Sequence, residues 1–152
     1  MRLVSVGFNK PDIAKYLWLY IYDEDIHPAR AYSPNLKSSN NVPEGCSALQ
    51  FEVYESIYKK VNLSDDLLCE HIEKCINKMK IANKEDILFV KVNHEKYANV
   101  VFYDDINLNK KIVHNYLLSQ DISCIGRFGE WDYLWSDEST TSAKKVIKSM
   151  YR

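Results

Sequence analysis

The order of the strand and helix patterns is the feature of this sequence that most restricts its fold. Aromatic and β-branched residues concentrate in the segments that we predict as strands, at Val4–Phe8, Tyr16–Tyr22, Cys46–Ser56, Ile87–Val92, Tyr97–Tyr103 and Ile122–Ile125. Helical spacing of apolar residues predicts helices at Asp65–Met79, Asn109–Ser119 and Ser139–Tyr151. Because strands and helices do not alternate as βαβ units, we expect an α+β fold with a mainly antiparallel sheet and about three helices packed on one face.

The first predicted helix has the clearest local signals. Ser64 suits its N-cap, because a serine hydroxyl can accept a backbone hydrogen bond there. Asp65 and Asp66 suit the positive end of the helix dipole in the first turn. Apolar residues then recur from Leu68 to Met79 at steps of four, three, one and three, which is typical of one face of an amphipathic helix.

The charge balance restricts the classes of partner. Twenty basic and twenty-one acidic residues give a net charge of −1, whereas a nucleic-acid-binding domain is expected to be basic. No apolar run reaches the roughly 20 residues of a membrane-spanning helix, and the first residues lack the zones of a signal peptide. The sequence therefore predicts a cytoplasmic protein with no nucleic-acid partner and no membrane span.

Residues 126–139 form the segment most suggestive of a ligand site. Two of the four glycines lie here, at Gly126 and Gly129, together with Arg127 and several aromatic residues. A glycine turn lets backbone approach a ligand closely, and the start of the helix that follows offers N–H groups that attract phosphate. The segment thus indicates either a site for a phosphate-bearing, flat-ringed ligand or a turn whose aromatic residues cap the last helix. We accordingly divide the chain into an α+β region, residues 1–125, and this turn with its helix, residues 126–152, within one compact unit.

A proline-rich loop, residues 23–45, is the second candidate region. It contains three of the four prolines, and Arg30 precedes Ala31 and Tyr32 within it. Long ordered loops are often functional, and an arginine there can hold phosphate or carboxylate through two hydrogen bonds. A surface salt bridge is the alternative for Arg30, and the sequence leaves both open.

The cysteine and histidine residues do not form a recognisable reactive centre. The four cysteines lack metal-binding spacing, and we interpret them as small apolar residues or free thiols. His71 and Cys75 are four residues apart on the first predicted helix, which could place both on one metal. Because Cys75 belongs to the apolar stripe, core packing is favoured there. We predict no metal site and assign no catalytic acid or base.

The glycine segment and the middle of the chain together resemble a known family. Gly126-Arg127-Phe128-Gly129, Trp131, Tyr133 and Ser136-Asp137-x-Ser139 resemble the C-terminal signature of a flavoprotein superfamily. That superfamily contains amine oxidases, protoporphyrinogen oxidases and UDP-galactopyranose mutases, and the resemblance is greatest to bacterial members from polysaccharide biosynthesis. Residues 20–23, 27–30, 43–47 and Glu52 resemble its substrate-domain strands and arginine loop.

The resemblance implies a cofactor and a set of contacts. In such proteins the glycine turn and the following helix start lie against FAD. The residues that it places near the cofactor are Gly126, Arg127, Phe128, Gly129, Asp137 and Ser139. Trp131 and Tyr133 would line the flavin or substrate side, and Arg30 and Tyr32 would contact a sugar nucleotide or another anionic small molecule.

One departure from the family pattern is large. The dinucleotide fingerprint GxGxxG is absent, since Gly7 is followed by no glycine until Gly45. The chain resembles the C-terminal half of a flavoenzyme without the main FAD-binding half, so we expect weak or absent FAD binding by this chain alone. It would be a cloned fragment, a split-gene subunit that needs a dinucleotide-binding partner or its own copy, or a non-enzymatic binding module that retains the fold only.

Overall fold

The chain forms two compact units, described here from a computed structural model. The units are Met1–Lys96 and Tyr97–Arg152, and the structure describes residues 1–150. The boundary between them follows a strand that ends at His94. This boundary does not test the functional division that we predicted between residues 125 and 126, which stays a prediction.

The first unit contains a five-stranded antiparallel sheet. The strands are β1 (Arg2–Phe8), β2 (Trp18–Tyr20), β3 (Arg30–Tyr32), β4 (Ser47–Val53) and β5 (Ile87–His94). Their order across the sheet is β2-β3-β4-β1-β5, and each neighbouring pair is antiparallel. Between β3 and β4 lie a short helix α1 (Pro34–Lys37) and a 3-10 turn (Ser39–Asn41). The predicted α+β class with a mainly antiparallel sheet is confirmed.

The core lies on one face of this sheet, against helix α2 (Asp65–Lys78). Alternating residues of β1 and β4 point into it, because successive side chains of a strand lie on opposite faces. The core residues from these strands and from α2 are Val4, Val6, Phe8, Leu49, Phe51, Val53, Leu68, Ile72 and Ile76. Each large apolar side chain that is fully buried stabilises the fold by about 1.5–3 kcal/mol.

Helix α2 confirms the prediction made from its cap and stripe. The Ser64 hydroxyl accepts a hydrogen bond from the backbone N–H of Leu67 at 3.3 Å. The helix buries Leu68, Ile72, Cys75 and Ile76, which are members of the predicted apolar face. The capping residue and the amphipathic pattern were both local signals, and local signals were enough to find this element.

Two predictions about the first unit need correction. A strand was predicted at Tyr16–Tyr22, but in the structure it extends only from Trp18 to Tyr20. Residues 23–45 were predicted as an irregular loop, but they contain β3. Strand β3 pairs Arg30 with Glu52 and Tyr32 with Gln50 on β4. A strand of three residues is too short to show alternation in the sequence, so only its pairing identifies it.

The hairpin predicted around His94 is also wrong. Strand β5 runs through His94 and pairs with β1, while residues 97–103, all within the described part of the chain, form no strand. Residues 122–125 likewise form no strand. Strand propensity reflects a fit to a half-buried surface, and residues 97–103 do not pair with β5, which remains the last strand of the sheet.

The second unit is helical. It contains α3 (Ile106–Ser119), the short α4 (Gly126–Gly129) and α5 (Ser136–Met150). With α2, these make three long helices among residues 1–150, in agreement with the predicted number. Helix α5 begins at Ser136, three residues earlier than predicted, and the predicted end at Tyr151 lies outside the described residues. Helix α3 buries only Ile106 and exposes a set of apolar side chains, Leu108, Ile112, Val113, Tyr116 and Leu118.

Candidate functional site

An aromatic cluster with a central arginine lies on the sheet face that points away from the core. Trp18 is paired with Tyr32, and Tyr20 is paired with Arg30, across β2 and β3. Residues directly opposite each other in an antiparallel pair project to the same face. Leu19 and Ala31, which alternate with them, belong to the core side. We call Trp18, Tyr20, Arg30 and Tyr32 the aromatic face.

Two rings of the aromatic face contact the arginine, and the third contacts Trp18. The Arg30 guanidinium carbon lies 4.6 Å from the centre of the Trp18 ring and 5.8 Å from that of Tyr20. The Trp18 and Tyr32 ring centres are 5.1 Å apart. Trp18 and Tyr20 remain exposed at 41% and 58%. Such a surface has ring faces available to a flat ligand, because aromatic and guanidinium planes both stack on rings.

Arg30 is held by a buried carboxylate. Its Nε donates to one Glu52 oxygen at 3.1 Å, and its Nη2 donates to both oxygens at 2.8 Å. Tyr54 also donates its hydroxyl to Glu52. Although burial by itself lowers the pKa of Arg30, hydrogen bonds to Glu52 and Tyr20 outweigh it and raise that pKa above its ordinary value. Of the two alternatives for Arg30, the structure contains the salt bridge, and a bound anion would have to compete with Glu52.

The glycine segment is a short helix rather than an open turn. Gly126 has φ of +72°, a left-handed conformation that favours glycine, and its N–H donates to the Ser142 hydroxyl at 3.0 Å. His114 Nε2 lies 3.1 Å from the Gly129 carbonyl oxygen, to which it donates. The segment is thus fixed to helices α3 and α5 of its own unit.

Arg127 contacts three groups within the same unit. Its Nη2 donates to Asn99 Oδ1 at 2.7 Å, and its Nη1 donates to the Leu134 carbonyl oxygen at 3.4 Å. Its guanidinium carbon lies 4.2 Å from the centre of the Tyr133 ring. Arg127 therefore orders the segment around it and presents Tyr133 as a half-exposed ring.

Solved structures connect this geometry to known proteins. No family model matches the chain, and no curated protein matches it. A crystal structure of reduced UDP-galactopyranose mutase matches with a TM-score of 0.72 and 26% sequence identity, over 87% of this chain and 28% of that one. The chain has a flavoprotein-related fold. It spans a little over a quarter of the length of that structure, and the likeness agrees with the superfamily that the motifs indicated.

The predicted cofactor residues of this flavoprotein-related fold lie together in the second unit. Helix α5 begins with Ser136, Asp137 and Glu138, and Glu138 Oε2 accepts a hydrogen bond from the Trp135 N–H at 2.7 Å. A cavity of about 460 Å³ adjoins this turn. Its lining includes Asp137, Glu138 and Glu130 but only one lysine, Lys145. Carboxylates repel phosphate and accept hydrogen bonds from hydroxyls, so this part of the site suits a sugar or ribose.

The predicted aromatic residues are arranged around α4. Phe128 is 46% exposed, and its ring centre lies 6.2 Å from that of Trp131. Trp131 has φ of +53°, which is uncommon for a bulky residue. Ser139 donates its backbone N–H to the Trp135 carbonyl. The structure thus brings Phe128, Trp131 and Tyr133 into one segment, whereas Arg30 and Tyr32 belong to the other unit.

A histidine–cysteine cluster in the first unit is held by internal contacts and is not arranged as a reactive centre. His71 Nε2 accepts a hydrogen bond from the His27 backbone N–H at 3.2 Å and lies 3.3 Å from Cys75 Sγ. Burial raises the pKa of the Cys75 thiol to about 11, so the thiol is protonated and unreactive at neutral pH. Among residues 1–150, no group of three His, Cys, Asp or Glu side chains could hold a metal ion. All four cysteines are free thiols.

Three residues that contact Arg30 were not predicted from the sequence as site residues. Trp18, Tyr20 and Glu52 contact Arg30, but none was selected as a site residue. The spacing of Trp18 and Tyr20 by two residues was the available signal, because it puts both rings on one face of a strand.

Within the residues described, no helix is long and apolar enough to cross a membrane.

Proposed function

We propose that this chain is the substrate-domain-like portion of an FAD-dependent oxidoreductase or a sugar-nucleotide mutase relative. Its role is to cover the flavin and to shape the substrate pocket beside it. The observation that carries the proposal is the aromatic face, on a fold that matches UDP-galactopyranose mutase over 87% of this chain. The bound flavin supplies the redox or group-transfer chemistry, and the protein supplies placement and electrostatics.

The aromatic face contributes stacking in this proposal. Trp18 and Tyr32 offer ring planes to an isoalloxazine, and the comparable stacking of a base on an aromatic ring is worth about 1–3 kcal/mol. Arg30 is paired with Glu52, so it adds a flat guanidinium without a net charge. We therefore assign Arg30 to ring contact rather than to an anionic group, which revises its predicted role.

The second unit by itself offers hydroxyl and ring contacts, independently of the aromatic face. Asp137 and Ser139 suit ligand hydroxyls such as those of a sugar or ribitol, since the first turn of α5 already carries two carboxylates. Phe128, Trp131 and Tyr133 suit a flat ring. Gly126 and Gly129 have no side chains, so the backbone of the segment can approach a ligand closely. Arg127 holds Tyr133 in position.

Exposed apolar residues on α3 support dependence on a partner. Leu108, Ile112 and Tyr116 follow each other at steps of four and are 60%, 58% and 65% exposed. A contiguous apolar surface of this kind is typical of an interaction site. A dinucleotide-binding domain, in the same or another chain, is the partner that the proposal requires. Of the weak or absent FAD binding expected for the chain alone, the proposal commits to weak, millimolar binding at the aromatic face, with no activity.

The proposal is tested by following amide NMR signals of the chain during an FAD titration to about 5 mM, which detects millimolar affinity. We expect saturable shifts at the aromatic face, and their loss in Trp18→Ala and Tyr32→Ala. Tyr58→Ala is the matched control, because Tyr58 is 93% exposed and lies outside the strands. AMP, in a parallel titration, separates recognition of the flavin ring from recognition of the adenine nucleotide.

Two results would contradict the proposal. One is the absence of shifts at the aromatic face at the highest FAD concentration. The other is an equal response to AMP, which would mean that the face does not recognise the flavin ring. Either result favours the alternative, a non-enzymatic interaction module that retains the fold only.

A further inference from the structure

A separate cleft opens at the β2 edge of the first unit. Its volume is about 520 Å³, within the range of small-molecule sites. It lies between the segment around β2 and the end of α2. Apolar side chains from both elements and from β4 line most of it: Ile13, Ala14, Leu19, Ile21, Leu49, Met79 and Ile81.

The end of helix α2 forms one wall of the cleft through a Schellman motif. The Ile81 N–H donates to the Ile76 carbonyl, and the Lys80 N–H donates to the Asn77 carbonyl, both at 3.0 Å. Lys80 occupies the left-handed position of this motif with φ of +54°, where glycine is usual. The sequence therefore places a lysine at the cleft although the backbone there favours a residue without a side chain.

The uncompensated charge at the cleft is positive. Lys15 and Lys80 both line it, and neither ammonium group forms an ion pair within residues 1–150. The one carboxylate in the lining, Asp23, is paired with Lys78, whose Nζ lies 3.2 Å from Asp23 Oδ1. A ligand that enters this cleft meets apolar walls and two free cations.

We propose that the cleft binds a small amphipathic anion, with an alkyl or aryl body against the apolar wall and one carboxylate or phosphate head beside Lys15 and Lys80. The wall residues Leu19 and Leu49 pack on the core side of the sheet, away from the aromatic face. The site is consequently distinct from the flavin contact, and the two proposals can fail independently. Only Tyr20, at the sheet edge, belongs to both surfaces.

The test is calorimetric titration of the full chain with decanoate, below the concentration at which it forms micelles. Decyl phosphate is a second probe that identifies the preferred head group, and decanol is the neutral probe. We expect saturable decanoate binding that weakens about three- to tenfold in a Lys15→Ala, Lys80→Gly double variant, the range for two exposed charge contacts. Ala14→Trp should abolish binding by filling the cleft.

The controls separate this site from general adhesion to apolar surfaces. Lys91→Ala removes a lysine from β5, at the opposite edge of the sheet, and should leave decanoate affinity unchanged. Lys80→Gly relieves the backbone strain, so its loss of affinity cannot come from unfolding. Equal binding of decanol and decanoate would overturn the proposed charge recognition. Binding that survives Ala14→Trp, or no saturable binding at all, would overturn the site.

Discussion

Arg30 and Glu52 form a two-pronged ion pair across strands β3 and β4. Arg30 Nη2 lies 2.8 Å from both carboxylate oxygens, and Glu52 is only 6% exposed. The pair fixes the plane of the guanidinium, on which the Trp18 ring then stacks. One ion pair thus neutralises the charge of Arg30 in the aromatic face and holds the guanidinium beside the Trp18 and Tyr20 rings.

Removal of Arg30 should destabilise the first unit. Arg30→Ala leaves Glu52 buried without its cation, and we expect a loss of about 1–3 kcal/mol, lower than for a fully buried pair because Arg30 is partly exposed. Glu52→Gln should cost less, because the amide still accepts a hydrogen bond from Arg30. Urea unfolding of both single variants and the double variant measures the coupling. A coupling near zero would contradict the assignment of a structural ion pair.

Lys80→Gly should stabilise the protein. A non-glycine residue in the left-handed region destabilises the folded state by roughly 1–2 kcal/mol. Glycine removes this strain, but its greater conformational entropy in the unfolded chain offsets part of the gain. We expect a net gain of about 0.5–1 kcal/mol in the free energy of unfolding, measured by urea denaturation. Lys84→Gly is the control, since Lys84 lies in a 3-10 turn and has no positive φ. That control should not be stabilised, and an unchanged or lower stability of Lys80→Gly would contradict the strain.

Local sequence signals were sufficient for α2 and for the main strands of the sheet. The Ser64 cap and the stripe from Leu68 lie within one helix, so no tertiary information was needed to find them. Strands β1 and β4 were found through their aromatic and β-branched residues for the same reason. The α+β class followed from the order of these elements.

Long-range pairing explains what the sequence did not reveal. Arg30 and Glu52 are 22 residues apart, and only the register of β3 on β4 brings them together. Residues 97–103 have strand-like composition but do not extend the sheet beyond β5, so composition alone did not decide the pairing. In the glycine segment, the motif indicated the residue types, but the contact of Arg127 in α4 with Asn99, 28 residues away, depends on the tertiary structure of the second unit.

Arg2 should be one of the most costly residues to replace. It is 4% exposed and donates hydrogen bonds to both Glu55 oxygens and to the carbonyls of Val61 and Leu63. Arg2→Met removes the charge and leaves four acceptors without this donor, so we expect a loss of about 3 kcal/mol or more. Arg2→Lys should recover only part, because an ammonium cannot reproduce the planar fork. Thermal unfolding compares the two variants, and equal melting temperatures for Arg2→Met and the parent chain would refute the prediction.

His71 should make stability fall as the pH drops below about 6.5, the ordinary pKa of histidine. Burial, followed by the nearby His27, lowers the pKa of His71, and Lys74 acts in the same direction while Asp25 opposes it. The neutral Nε2 accepts the His27 N–H, and a proton on Nε2 would remove that hydrogen bond. Between the lowered folded-state pKa and about 6.5, the unfolded chain holds more protons, so stability rises with pH in that window and levels off above it.

The variant that isolates this effect is His71→Gln, which can keep an acceptor near the Nε2 position but does not titrate. Urea unfolding at a series of pH values from about 5 to 8 should show a smaller slope for His71→Gln than for the parent chain. His94→Gln is the matched control, because His94 is exposed and pairs with Asp65, and this variant should retain the contribution of His71. Burial is the first cause of this sensitivity, because removal from water disfavours the charged form of His71. An undiminished slope in His71→Gln would assign the pH dependence to another group.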